Sequence, residues 1–278
     1  MPADKKQFFF LHIPRTAGTT MALILARHFR WNKKLSYYTP QGRRSYAEHS
    51  AEYRNKFDLC FGHIPFNING NIPRGIDYFT FLRIPREHLL SGYKHIKGGK
   101  NHGVQKLVNV ADYTLKDFMK SGIVKNIDNV SVRFLSGNFE KPYLTINEED
   151  LQLAIKNFDT YFSIFGITEY FDESLVLLSD YMHWPPLYYV RENKSSYKID
   201  KKELDEETEQ LIARCTKYDE VLYKHGLNRF MKMMEDKKSV LDSELTKLRE
   251  GNEKRKTSMA LRNRASLIYS AIRRKFKQ

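Results

Sequence analysis

One stretch, FFFLHIPRTAGTTMALILARHF at residues 8–29, constrains the fold more than any other. An unbroken apolar run gives way to a short loop with several threonines and a single glycine, and then to apolar residues at helical spacing. This reads as a strand feeding a turn and then a helix. A turn from strand to helix exposes backbone N–H groups at the helix N-terminus, where the macrodipole favours an anion. Thr16, Thr19 and Thr20 add hydroxyl donors, Gly18 lets the backbone approach closely, and Arg15 adds a fixed charge with forked donors. Neither GxxxxGK[ST] nor GxGxxG is present. By itself the segment allows either an anion site or an ordinary strand–loop–helix with Thr19 as N-cap.

The rest of the chain repeats the alternation. Strand-like runs occur at residues 8–13, 58–62, 78–83 and 161–166, and helical periodicity at 19–29, 86–96, 169–181 and 202–223. This predicts an α/β domain with a mainly parallel central sheet in three layers. Residues 98–130 read as irregular, with Gly98, Gly99 and Gly103 opening a loop. Composition shifts after residue 231, which divides the chain into a main domain, 1–231, and a basic helical extension, 232–278.

The formal charge of +14 is uneven, with 13 Lys/Arg against 5 Asp/Glu from residue 236 onward. A basic body suits phosphate, sulfate or acidic glycans without choosing among them. Two cysteines are too few for a disulfide framework and lack metal-ligand spacing. No apolar run approaches membrane-spanning length, and MPADKKQ leaves no room for a leader's apolar segment. The expectation is a cytoplasmic protein, with a peripheral membrane contact as a further option. In the extension Leu261, Ala265, Ile268, Ile272 and Phe276 share one helical face among arginines and lysines. Such a 259–276 helix suits an anionic membrane surface, with packing on the body or on a second subunit of a homo-oligomer as alternatives.

A second motif makes the first one specific. HIPRTAGTT resembles the 5′-phosphosulfate loop of sulfotransferases that use 3′-phosphoadenosine 5′-phosphosulfate (PAPS), and YFTFLRIPREHLLSGYKH at 78–95 resembles their 3′-phosphate motif. FGHIPF at 61–66, DNVSVRFLSG at 128–137, FGITEYFDESLVLL at 165–178 and KYDEVLYKHGLNRF at 217–230 resemble further blocks of the Golgi-type carbohydrate sulfotransferases. That group includes heparan sulfate 2-O-sulfotransferase and its bacterial relatives.

The resemblance implies a P-loop-like fold, PAPS as donor, no metal requirement, and a hydroxyl on a glycan or glycolipid as acceptor, not a nucleic acid. It assigns the loop Arg15, Thr16, Ala17, Gly18, Thr19 and Thr20 to the 5′-phosphosulfate, and Arg83 with Ser91 to the 3′-phosphate. It places the catalytic base at His63, which follows a strand-like run at an end facing the same crevice as the loop. Histidine suits that role near neutral pH.

Where the family carries lysine, this chain has Arg15. An arginine cannot give up a proton, so it should act by charge alone on phosphate or sulfuryl oxygens. Asn193, Lys194 and Ser195 match a loop that closes over the nucleotide, and Asn129 and Arg133 are candidates at the acceptor edge. His12, His88 and His95 read as supports. The rival readings are a nucleotide kinase or NTPase, which lacks its lysine here, and a non-catalytic polyanion-binding protein.

Overall fold

The computed structural model describes residues 7–38, 44–46, 48–67, 75–98, 113–124, 127–190 and 197–275, with backbone alone for residues 31, 51 and 263–275. Four parallel strands form the sheet: β1 (Gln7–Leu11), β2 (Lys34–Tyr37), β3 (Leu59–Gly62) and β4 (Ile76–Phe79), in the order β2-β3-β1-β4. All five β1 residues are buried: Phe8–Leu11 form the apolar run, and the buried Gln7 amide donates to the Arg54 and Phe57 carbonyls at 2.6 and 3.0 Å. Phe8 pairs with Leu59 on one side and Asp77 on the other.

Beyond β4 the chain changes partners. Thr80 breaks the strand, and β5 (Phe81–Leu82) pairs in parallel with β6 (Gly166–Ile167). The buried Thr80 hydroxyl donates to the Leu11 carbonyl at 2.7 Å, so the break stays tied to β1. The expected α/β architecture with a central parallel sheet is therefore present, and the C-terminal ends of β1, β3 and β5 open on one side.

The covering helices are α1 (Gly18–His28), α2 (Pro85–Lys97), α3 (Leu115–Ser121), α4 (Val130–Ser136), α5 (Glu148–Tyr161), α6 (Phe171–Met182), α7 (Glu206–Asp236) and α8 (Lys238–Lys275). The long α7 buries Thr208, Ile212, Cys215, Asp219, Leu222, Gly226 and Phe230, a stripe at steps of three and four that faces the body. The boundary expected near residue 231 falls inside this helix. Leu241 and Leu248 of α8 belong to the main apolar core, and α8 packs along α6. Of the apolar face expected on the extension, Leu261 is 62% exposed, whereas its neighbour Met259 is 5% exposed; the remaining side chains of that face lie outside those described. Among the described residues no helix is long and apolar enough to cross a membrane.

A buried polar knot joins α4 to α7 and corrects two site expectations. Asn129, at φ 47°, donates its backbone N–H to the Cys215 carbonyl at 2.7 Å. Its side-chain oxygen accepts the N–H groups of Tyr218 and Asp219 at 2.9 and 3.2 Å. It is thereby inserted into the hydrogen-bond ladder of α7, not presented to an acceptor.

Arg133 is fully buried and ion-paired with Asp128 at 2.7 Å. Its remaining donors go to the carbonyls of Asp128, Lys141 and Pro142 at 2.8, 2.6 and 2.9 Å. A guanidinium so enclosed holds the 128–142 segment together and has no surface left for a substrate.

Asp219 closes the knot by accepting the Ser131 and Val132 N–H groups at 3.0 and 2.8 Å, which caps the start of α4. Burial pushes its carboxyl up from an ordinary 3.8 to about 7, against the pull of those two hydrogen bonds. A raised carboxyl pKa means that the folded state holds the proton more tightly than the unfolded chain. This contribution to stability is therefore full below about 4 and is lost as pH rises through about 7. Urea unfolding of Asp219→Asn between pH 5 and 8 should show a flatter pH dependence than the parent; parallel curves would remove Asp219 from the account.

Candidate functional site

The loop between β1 and α1 is fixed by what grips it. Every carbonyl from Leu11 to Arg15 accepts a hydrogen bond from a side chain. Thr80 takes Leu11, His63 Nδ1 donates to His12 at 2.9 Å, Thr16 Oγ1 to Ile13 at 2.7 Å, His88 Nε2 to Pro14 at 2.6 Å, and an Arg83 guanidinium nitrogen to Arg15 at 3.0 Å. With its oxygens held by the surrounding elements, the loop adopts left-handed backbone at Arg15 (φ 70°) and Ala17 (φ 58°). Such conformations are rare for residues with a Cβ and persist only where neighbours over-determine them.

Ala17 occupies the N-cap of α1 and offers no side-chain acceptor, whereas Thr114, Asn147 and Asp205 cap α3, α5 and α7. Thr19 is thus inside the helix, not its cap. The first N–H groups of an α-helix have no partner within it, and here no side-chain cap occupies the partial positive end, an arrangement that suits an anion.

The single glycine answers to a close approach. A Cβ at Gly18 would lie 1.6 Å from Nε2 of His12, whose buried ring packs on the first turn of α1. Burial, followed by the charges of His63, Arg15 and His88, holds the His12 ring well below its usual pKa, so this ring is neutral. The Tyr38 hydroxyl lies 3.1 Å from its Nδ1, and the rings of His12 and His63 lie 4.5 Å apart. Sequence reasoning missed Tyr38, which follows the short strand β2.

His63 stands half-buried just after β3. Donation from Nδ1 to the His12 carbonyl places the proton of the neutral ring on that nitrogen and leaves the lone pair on Nε2. That is the protonation state a base requires, fixed by the backbone of the anion loop itself.

On the other side of the loop, α2 presents His88, Ser91 and His95 on one face, at steps of three and four. His88 reaches the loop carbonyl described above; burial lowers its pKa to about 4, with Arg83 and Arg15 adding to the effect. Ser91 Oγ accepts from Arg15 Nε at 3.1 Å, and His95 Nδ1 lies 3.3 Å from an Arg15 terminal nitrogen. The 88/91/95 spacing was the available signal for His95 as a site member.

Arg15 and Arg83 are both lowered in pKa, chiefly by burial, and Arg15 also by Arg83. Among the described residues neither forms a salt bridge, and the Nε of Arg83 is buried without a hydrogen-bond partner. Two cations side by side with an orphaned buried donor are a fit for a multiply charged anion.

The loop, His63, Arg83 and Ser91 therefore adjoin one another, and Arg133 and Asn129 are instead engaged in the knot between α4 and α7. Asn193, Lys194 and Ser195 lie outside the described residues. A cavity of about 310 Å³ between α6 and α8, lined by Leu175, Trp184, Leu187 and Val240 among others, borders none of the site residues.

Compared with known proteins, residues 2–276 match the family model described as galactose-3-O-sulfotransferase. No curated protein matches the chain. The family match carries the carbohydrate sulfotransferase character that the motifs implied, and does not carry the narrower affinity to heparan sulfate 2-O-sulfotransferase. With nearly its whole length matched, the chain belongs to the galactose-3-O-sulfotransferase family, whose chemistry is sulfuryl transfer to a carbohydrate acceptor.

Proposed function

We propose that this protein transfers a sulfuryl group from PAPS to a carbohydrate hydroxyl, with His63 as the base and a galactose-type sugar as the first acceptor to test. The observation that carries the reading is the adjoining arginine pair, neither of which forms a salt bridge among the described residues, with its orphaned Arg83 Nε beside a helix start that no side chain caps. These are two anion sites of different character joined by one loop. The donor would supply an electrophilic sulfuryl group on a phosphate leaving group.

The chain's own residues do the rest. The N-terminal amides of α1 with Thr19 and Thr20 hold the 5′-phosphosulfate, and Arg83 with Ser91 holds the 3′-phosphate. Nε2 of His63 takes the acceptor hydroxyl's proton as the new oxygen–sulfur bond forms and the bridging oxygen–sulfur bond breaks. Preorganised donors of this sort stabilise the charge that develops on the leaving oxygen without rearranging.

The test is thermal denaturation with adenosine 3′,5′-bisphosphate, AMP or ATP. Saturation at one hundred times Kd stabilises by about 2.7 kcal/mol. For a chain of this size the midpoint then rises by roughly 5 °C. A rise confined to the bisphosphate supports the reading. An equal rise with all three would support a general anion binder, and a preference for ATP would support a kinase-like protein.

A further inference from the structure

The side chain at the position equivalent to the family's loop lysine packs on α2 in this chain. Although Arg15 belongs to the anion loop by sequence, its side chain lies on α2. Its Nε donates to Ser91 Oγ, and one terminal nitrogen faces His95 Nδ1. Its own carbonyl is held by Arg83. Arg15, Arg83 and Ser91 therefore form one cluster, and the amides at the start of α1 are left to the other end of the donor.

We propose that Arg15 is a ligand of the donor's 3′-phosphate and sets selectivity for donors that carry one, with His95 as the residue that positions it. The inference rests on the reading of Arg83 and Ser91 as the 3′-phosphate site. Three observations support it independently of Arg15's place in the motif.

The first is charge. Two half-buried guanidinium groups adjoin one another, each destabilised by burial; Glu169 and Glu87 offset this in part at Arg83, but among the described residues neither arginine forms a salt bridge. A phosphate dianion neutralises both at once. The second is the orphaned Nε of Arg83, a buried donor on the same cluster with nothing to accept from it. The third is geometry. Arg15 uses Nε and a terminal nitrogen on two acceptors of one helix face, a fork that a lysine's single ammonium cannot reproduce. The exchange of lysine for arginine is thus a change of task, from the bridging oxygen to the far phosphate.

The role of His95 follows from proton placement. To face a guanidinium N–H, its Nδ1 must present a lone pair, so a neutral His95 steadies Arg15 and a protonated one would repel it.

The experiment measures binding of adenosine 3′,5′-bisphosphate and of AMP to the full chain and to Arg15→Gln by calorimetry. It is paired with kcat/KM for PAPS and for adenosine 5′-phosphosulfate, which lacks the 3′-phosphate. Loss of one charge-assisted contact should cut bisphosphate affinity about ten- to a hundredfold and AMP affinity by much less. The PAPS/adenosine 5′-phosphosulfate ratio should fall by a similar factor. Arg15→Lys, which keeps the charge without the fork, should fall between, and His95→Phe should move the same ratio in the same direction.

If Arg15→Gln instead depresses turnover with both donors equally and leaves the bisphosphate preference intact, Arg15 acts at the bridging oxygen and the inference is overturned. If the parent chain itself shows no preference for the bisphosphate, the 3′-phosphate reading of Arg83 and Ser91 is wrong, and the inference goes with it.

Discussion

Replacing His63 with alanine should lower single-turnover sulfuryl transfer by about 10²–10⁴-fold, the range for loss of a general base. The argument depends on which nitrogen holds the proton. Nδ1 donates to the His12 carbonyl, so Nε2 has the lone pair. The same hydrogen bond helps to shape the anion loop, which makes alanine an ambiguous substitution by itself. Asparagine separates the two roles, because its side-chain N–H can keep the bond to the His12 carbonyl while offering no base. His63→Asn should therefore bind adenosine 3′,5′-bisphosphate like the parent and still lose most of its turnover. Near-parental turnover in a folded His63→Asn variant would end the assignment.

The second large effect is on stability. Arg133→Met should destabilise the fold by about 3–5 kcal/mol, the usual result of removing one partner from a buried ion pair. Asp128 would then be left charged and fully buried, and the carbonyls of Lys141 and Pro142 would lose their donor. The companion Asp128→Leu, made in the Arg133→Met background, should recover part of the loss, since a well-packed apolar pair often matches a buried ionic one. Urea denaturation at neutral pH reads both. The outcome that would restore Arg133 to the acceptor site is an Arg133→Met variant of parental stability whose only defect is a raised KM for the sugar.

The contrast between these two residues shows what the sequence could and could not reveal. The place of His63 beside the loop was legible because a parallel sheet sends the ends of its strands to one side, and the run before it reads as a strand. The burial of Arg133 was not, because only the fold shows that Asp128, five residues earlier, and the carbonyls of Phe139, Lys141 and Pro142 close around it. Helices α1, α2 and α6 emerge within a residue or two of their periodic patterns.

The apolar run at 161–166 misled, because Phe162, Ile164 and Phe165 are buried as a connection between α5 and the edge of the sheet. Only Gly166 and Ile167 pair there. A buried connection and a buried strand have the same hydropathy, so periodicity cannot separate them. Within the span read as irregular, Thr114 and Asp117 form a capping box that opens α3, a signal present in the sequence and passed over. Strand β2 escaped for the opposite reason: KLSY is a four-residue edge strand, only one of whose residues is buried.

The loop between β1 and α1 has one further consequence, and it concerns entropy. A glycine-rich anion loop loses much backbone freedom when it orders, because glycine has the most to lose. Here the left-handed positions are Arg15 and Ala17, whose unfolded backbones are already restricted, and four side chains hold the loop from outside while Thr16 holds it from within. The conformational order that a ligand would otherwise have to impose is built in during folding. Donor binding should then be close to rigid-body docking, and its affinity should report contact and charge with little subtracted for ordering the chain.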